Sequence, residues 1–438
     1  MSPEVLTLLF FGSLLFFLFL GAPLAFVLGG VSVIFLYFDW GPQAFYMVAS
    51  RMWSTMNSFT LIAVPLFIFM AMILERSGVA RDLYRMMHMW WAGVRGGLAI
   101  GTVGICAIFA AMCGISGAAV TSMGTIALPN MLERKYDKRM ALGAIASGGG
   151  WGILIPPSII MILFALITGT SVGALFAAGI IPGLLLMVLV SIYIGVRCYL
   201  QPEMGPALPP EERGTLKDKF IALRSVILPM IIVIIVLGSI LGGVATATEA
   251  AAIGVFGSLL SAVVYRRFSW TMVQEACVRT LKLTGMVMWI LFAAHAFSTA
   301  YTSMGAQPMI HDWMMAIPGG EWGVLITIMA IIFIMAMVLD PLGIMLITLP
   351  VFMPIVTGFG MDPVWFGILF IIMMEIGYMT PPFGFNLFYL KGVAPPSVTM
   401  GDIYRSVIPY TVVELFGLAL VMMFPMIALW LPKALGMM

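Results

Sequence analysis

Five ionisable side chains, Glu249, His295, Asp340, Glu375 and Glu414, stand inside long apolar runs. Charge in such a setting is costly and is kept for an ion or for a structural hydrogen bond. Asp340 leads as an ion candidate because it falls in a break, Leu339-Asp340-Pro341-Leu342-Gly343. Three further breaks share its character: Gly114-Ile115-Ser116-Gly117, the string SGGGWGILIPPS from Ser147 to Ser158, and EIGYMTPPFGFN from Glu375 to Asn386. Glycine and proline there free backbone carbonyls and N–H groups, which lipid cannot satisfy. Freed carbonyls suit Na⁺, and helix N-termini suit an anionic group. Close helix packing is the other use of such glycines.

Ser116, Asp340 and Thr380 are the side chains best placed beside those carbonyls. The expected ion ligands are Gly114, Ser116, Gly117, Gly149, Gly150, Pro156, Asp340, Gly343, Met379 and Thr380. Neither tip carries a Lys or Arg, so a substrate carboxylate would be met by dipoles and by Ser116, Ser158, Thr380 and Asn386. His295 has no metal-ligand neighbour at helical spacing, so it reads as structural, and no transition-metal site or cofactor is expected. The G-x-S-G at Gly114 matches intramembrane serine proteases, but a nucleophilic serine needs a nearby base. The next histidine in the chain is His295, in the other half. With no H-E-x-x-H and no Walker A loop, metalloprotease and ATPase chemistry are unsupported, and a non-enzymatic reading is favoured.

The elements that must hold these breaks are apolar helices. The chain has 438 residues, 62% hydrophobic and 9% charged, with mean hydropathy +1.11. Soluble domains carry about 25% charged residues, so lipid must cover this surface. A net charge of +2 suggests no nucleic-acid partner. The four cysteines, Cys106, Cys113, Cys198 and Cys277, lie in or beside apolar runs and read as reduced packing residues. The N-terminus lacks a basic region and a small-residue cleavage site, so no cleaved signal is expected.

The run Val5–Tyr37 is too long for one span and divides at Gly21-Ala22-Pro23. An amphipathic stretch, 41–56, precedes a span over 59–74. Residues 75–95 are basic and aromatic, as in an interfacial helix or a contact for another subunit, with Trp90 and Trp91 as belt residues. A hairpin over 97–132, a broken helix over 140–168 and a span over 174–196 complete a first repeat, residues 1–200. A polar linker, 201–224, follows. The second repeat, 225–438, has spans at 226–243 and 247–265, an amphipathic 269–283 and a span at 284–303. A short polar segment (305–322), a hairpin (323–357), a broken helix (363–390) and a final span (407–432) follow. Pro129 and Pro156-Pro157 match Pro354 and Pro381-Pro382 at a constant offset of 225 residues. Ile181-Pro182 and Ile408-Pro409 follow in the same order. Matched interruptions in two halves point to a transporter binding site.

Charge orients the halves. Arg76, Arg81, Arg85, Arg95, Arg134, Lys135, Lys138 and Arg139 flank the first hairpin, and no Lys or Arg flanks the second. Basic residues stay on the cytoplasmic side, so the two hairpins are expected to open to opposite faces, as in an inverted repeat.

The strings GISGAAVTSMG, GGGWGILIPPS, GGVATATEAAAIG, LDPLGIMLITLPVFMPI and EIGYMTPPFGFNLFYLKG resemble the large (M-type, DctM-like) membrane subunit of tripartite ATP-independent periplasmic (TRAP) transporters, and the likeness runs in order along nearly the whole chain. The resemblance implies an all-α, ion-transporter-superfamily fold in the inner membrane, with a scaffold and a moving two-hairpin domain. It also implies elevator-type, Na⁺-driven uptake of organic acids, a smaller four-helix membrane subunit, expected here as a separate polypeptide, and a periplasmic substrate-binding protein. His311, Trp313 and Trp322 are candidates for that protein's docking face. The residues alone leave Na⁺ and H⁺ both open as coupling ion. A stand-alone carrier of the same superfamily is the second reading.

Overall fold

Every backbone polar group inside lipid needs an internal partner, and helices supply it. The computed structural model describes residues 3–114, 116–207, 209, 215–224 and 226–438, and these contain helices and no strand. Ile115, in the first expected tip, and linker residues 208 and 210–214 lie outside the described residues. The opening run splits into α1 (Pro3–Phe19) and α2 (Leu24–Trp40), with Gly21 left-handed at φ 79°. There follow α3 (Gln43–Met56), α4 (Ala63–Arg76), α5 (Val79–Trp91), α6 (Gly97–Cys113), α7 (Ser116–Glu133), α8 (Lys138–Gly150), α9 (Ile159–Thr168) and α10 (Val172–Leu200).

The linker is not wholly irregular. It contains α11 (Leu216–Arg224), which packs on α5, with the Phe220 ring edge-on to Trp90 at 6.4 Å. Next come α12 (Ile227–Leu241), α13 (Ala247–Val264) and α14 (Trp270–Ser303). The sequence divides the last of these into two segments, yet α14 is one helix of 34 residues. No proline interrupts it, so nothing removes a ladder hydrogen bond. The remainder is α15 (Ala306–Met315), α16 (Gly320–Ala336), α17 (Pro341–Gly358), α18 (Pro363–Tyr378), α19 (Phe385–Val393), α20 (Met400–Met423) and α21 (Met426–Ala434). The final span expected over 407–432 is thus two helices, parted at Phe424-Pro425.

Among the described residues, six helices are long and apolar enough to cross a membrane, or eight if two bent pairs each count once. Large apolar side chains such as Phe19, Phe38 and Phe256 point outward, as lipid contact requires. This is a multi-pass membrane protein.

The broken helices form the centre. Along α8 every residue from Met140 to Gly150 is buried, and α18 is buried from Val364 to Tyr378. Glycines let neighbours approach α8: a Cβ on Gly143 would fall 2.2 Å from the Tyr410 ring, and one on Gly149 2.3 Å from Val120. An outer layer is built from α14 on α2, α3 and α4, and from α13 on α4 and α12. Ion pairs tie the halves together: Arg267 donates to Asp82 at 2.6 Å and to the Ser77 carbonyl at 2.7 Å, and Lys138 reaches Asp402 at 3.3 Å.

Candidate functional site

The first tip is set by Gly114. It ends α6 at φ 60°, and its N–H returns to the Ala110 carbonyl at 2.8 Å. A side chain there would place Cβ 2.7 Å from the Pro157 carbonyl oxygen, so the tip rests on the break between α8 and α9. Ser116 opens α7 and donates to Asn386 Oδ1 at 2.6 Å. Asn386 is buried and donates in turn to the Ala146 carbonyl at 3.5 Å. One amide therefore joins the first tip, the first broken helix and the second broken helix. Gly117 lies under Tyr389, whose ring would be 2.9 Å from an added Cβ.

The second tip is set by Asp340. Its carboxylate accepts from the N–H groups of Leu342 (3.2 Å) and Gly343 (3.4 Å), which caps α17. Caps of this kind satisfy donors that a helix start leaves free. Gly343 meets Leu24 of α2, and Gly377 admits Ala336 at the end of α16, seating this tip on α18. Pro156-Pro157 and Pro381-Pro382 are both cis.

The two tips and two breaks face one cavity of about 550 Å³. Gly114, Ser116 and Gly117 line it from the first tip, and Asp340, Pro341 and Leu342 from the second. Ile153, Ile159 and Ile160 come from the first broken helix; Tyr378, Phe385 and Tyr389 come from the second. The opposite wall is Leu24 and Phe26 of α2 with Leu283, Trp289 and Ile290 of α14. Among the described residues, no Lys, Arg or His lines it.

The expected ligands divide. Gly114, Ser116, Gly117 and Asp340 reach the cavity. Gly149, Gly150, Pro156, Gly343 and Met379 are buried behind it. Ser158, Thr380 and Asn386 also stand off the wall, and each has an internal task. Ser158 donates to the Ile153 carbonyl at 2.6 Å and accepts from the Met161 N–H to cap α9. Thr380 donates to the Ile376 carbonyl at 2.6 Å. Of the other ionisable candidates, Glu249 is exposed and closes a capping box with Thr246. His295 shares a 2.8 Å hydrogen bond with Thr55. Glu375 and Glu414 are fully buried. The aromatic wall is absent from the sequence reading. Phe385 and Tyr389, four apart on α19 and so on one face, were its available signal; Tyr378 stacks on Phe385 at 5.2 Å.

The family model for the tripartite ATP-independent periplasmic transporter, DctM component, matches residues 11–427. The chain belongs to this family. It is 35% identical over 413 residues, 94% of each chain, to the C4-dicarboxylate TRAP transporter large permease protein DctM of Pseudomonas aeruginosa. It is 32% identical over 416 residues, 94% of this chain and 96% of the other, to the ectoine TRAP transporter large permease protein TeaC of Halomonas elongata. Its fold is similar to the crystal structure of the Alcanivorax borkumensis YdaH transporter, with TM-score 0.64 at 13% identity over 94% of this chain and 97% of that one. As a TRAP large permease it is an inner-membrane transport component.

Proposed function

We propose that this chain is the permease of a Na⁺-coupled TRAP system that imports an organic acid by an elevator motion. The carrying observation is one cavity shared by two helix tips and two helix breaks, with no basic side chain on its wall among the described residues. An anion there needs positive charge from elsewhere. Coupled Na⁺ supplies it, held by tip carbonyls and the Asp340 carboxylate, while the N-terminus of α7 faces the anion. Ser116 donates a hydrogen bond to Asn386 Oδ1, and His295 sits with Thr55, so among the described residues the serine has no base and the reading is of a carrier rather than a hydrolase. The printed name of the Pseudomonas relative, a C4-dicarboxylate permease, supports a carboxylate cargo. In the elevator reading, the tips and broken helices move against α2 and α14, which supply the opposite wall. A periplasmic binding protein and a small four-helix membrane subunit complete the system; the word tripartite in the family description supports further components.

Ser116→Ala and Asp340→Ala are expected to raise the Na⁺ concentration needed for uptake. A lost polar ligand weakens binding by about 1–3 kcal/mol, or roughly 5–150-fold. Na⁺ titrations of uptake in proteoliposomes check this. An unchanged Na⁺ requirement in both variants removes them from the site, and uptake driven by a pH gradient without Na⁺ replaces the coupling ion.

The inverted repeat has its own test. Asp137 and Asp362 cap α8 and α18, so cysteines are better placed at exposed Glu133 and Thr357 nearby. In a cysteine-free background, Glu133→Cys is expected to react with an impermeant maleimide from the cytoplasmic side and Thr357→Cys from the periplasmic side. Labelling of both from one side would end the inverted-repeat reading.

A further inference from the structure

Apart from the cavity between the tips, a polar hollow of about 290 Å³ lies where α2, α3 and α14 meet. Trp40 of α2, Arg51 of α3 and, on α14, His295, Ser298, Thr299 and Thr302 line it, and none of these borders the larger cavity. The α14 residues recur at spacings of three and four, so they share one face. Thr55 donates to the Arg51 carbonyl at 3.0 Å, so its oxygen accepts from His295 Nε2 at 2.8 Å, a bridge that ties α3 to α14. Thr299 and Thr302 donate to the carbonyls of His295 and Ser298 at 2.8 and 2.9 Å. Among the described residues, neither the Ser298 hydroxyl nor the Arg51 guanidinium has a hydrogen-bond or ion-pair partner.

Arg51 is the only Lys or Arg among the first 75 residues. On the topology that the other basic residues imply, it stands on the periplasmic side, where such residues are scarce. The hollow is at the depth of lipid headgroups. Ser298 lies 28 residues beyond Trp270, the first residue of α14. That is roughly 42 Å of helix, more than a ~30 Å hydrocarbon core. Trp40, Tyr46 and Trp53 are exposed on α2 and α3, as aromatic residues at a membrane interface are. We infer that the hollow binds the headgroup phosphate of a phospholipid of the periplasmic leaflet, with the Arg51 guanidinium and the Ser298 hydroxyl as its donors. A guanidinium fork matches phosphate oxygens in pairs. Phe38 and Phe45, exposed on the same two helices, offer apolar surface to the acyl chains. An acidic side chain of another subunit fits less well. It would have to be carried to headgroup depth, where every phospholipid already presents a phosphate.

Native mass spectrometry of the delipidated permease with its small subunit tests this apart from any transport measurement. The probes are phosphatidylglycerol, a diacylglycerol with the same chains, and inorganic phosphate. The first phosphatidylglycerol is expected to bind the wild type, and diacylglycerol is not. Arg51→Gln should weaken that binding roughly fivefold, the scale of one basic side chain at an anionic membrane surface, and Ser298→Ala should weaken it by a smaller factor. Arg51 is exposed, so its replacement leaves the fold intact. Equal lipid binding by the wild type and Arg51→Gln overturns the assignment, as does diacylglycerol binding as well as phosphatidylglycerol. Displacement of the lipid by inorganic phosphate at equal concentration also overturns it and makes the hollow a site for free anions. Loss of the small subunit from Arg51→Gln with lipid binding unchanged would replace the lipid with an acidic side chain of that subunit.

Discussion

Proteoliposomes holding this chain and its small subunit are expected to take up cargo near background until the cognate binding protein is added outside. The cavity wall offers a carboxylate the N-terminus of α7 and aromatic faces and, among the described residues, no Lys, Arg or His, while the Ser116 hydroxyl is taken by Asn386. Hydrogen bonds to charged groups contribute about 1.5–3 kcal/mol each, against about 0.5–1.5 for neutral ones. Hydrogen bonds to the carboxylate are already of the larger kind, but a wall without a basic partner adds no ion pair, so strong capture has to be done by another protein. Labelled-substrate uptake with and without the binding protein measures the dependence, and a binding protein from an unrelated system should not substitute. Trp313 and Trp322, 54% and 48% exposed, are available for docking. Their alanine variants should weaken stimulation by the binding protein and leave the fold intact. Robust Na⁺-driven uptake without any binding protein would sink the tripartite reading and promote a stand-alone carrier.

The second large effect is expected at Gly114. Its left-handed backbone costs any other residue roughly 1–2 kcal/mol. The added carbon of Gly114→Ala would also sit 2.7 Å from the Pro157 carbonyl oxygen, a backbone atom that cannot swing aside. The tip must lift from the break, and Ser116 must then leave Asn386. Uptake should fall close to background, and thermal unfolding followed by fluorescence should shift downward. Gly285→Ala is the control of opposite sign. It lies inside α14 with nothing within 4 Å of the added carbon, so alanine should stabilise that helix by about 0.5–1 kcal/mol. Wild-type uptake by Gly114→Ala would show that contact between tip and break is dispensable.

The sequence by itself determined several of the helix ends that build the site. Gly21 to Pro23, Gly114, Asp340-Pro341 and the two diprolines end helices through local causes: a left-handed φ, a missing N–H, a capping carboxylate. Such causes act within a few residues, so they are legible in the letters, as is the lipid-facing composition. Which side chains then face the cavity was decided by the tertiary structure. Ser116 and Asn386 are 270 residues apart and meet only because α7 and α19 pack together. Ser158 and Thr380 have suitable chemistry and sit at breaks, yet they turn to the nearest freed carbonyl, because an unsatisfied backbone group beside them is costly. Glu249 resembles Glu375 and Glu414 as a charge in an apolar run, but it caps an exposed helix start while they are fully buried and Glu414 accepts from Ser147. A run of letters shows that a carboxyl lies among apolar residues; only the packing of α8, α18 and α20 shows which groups surround it.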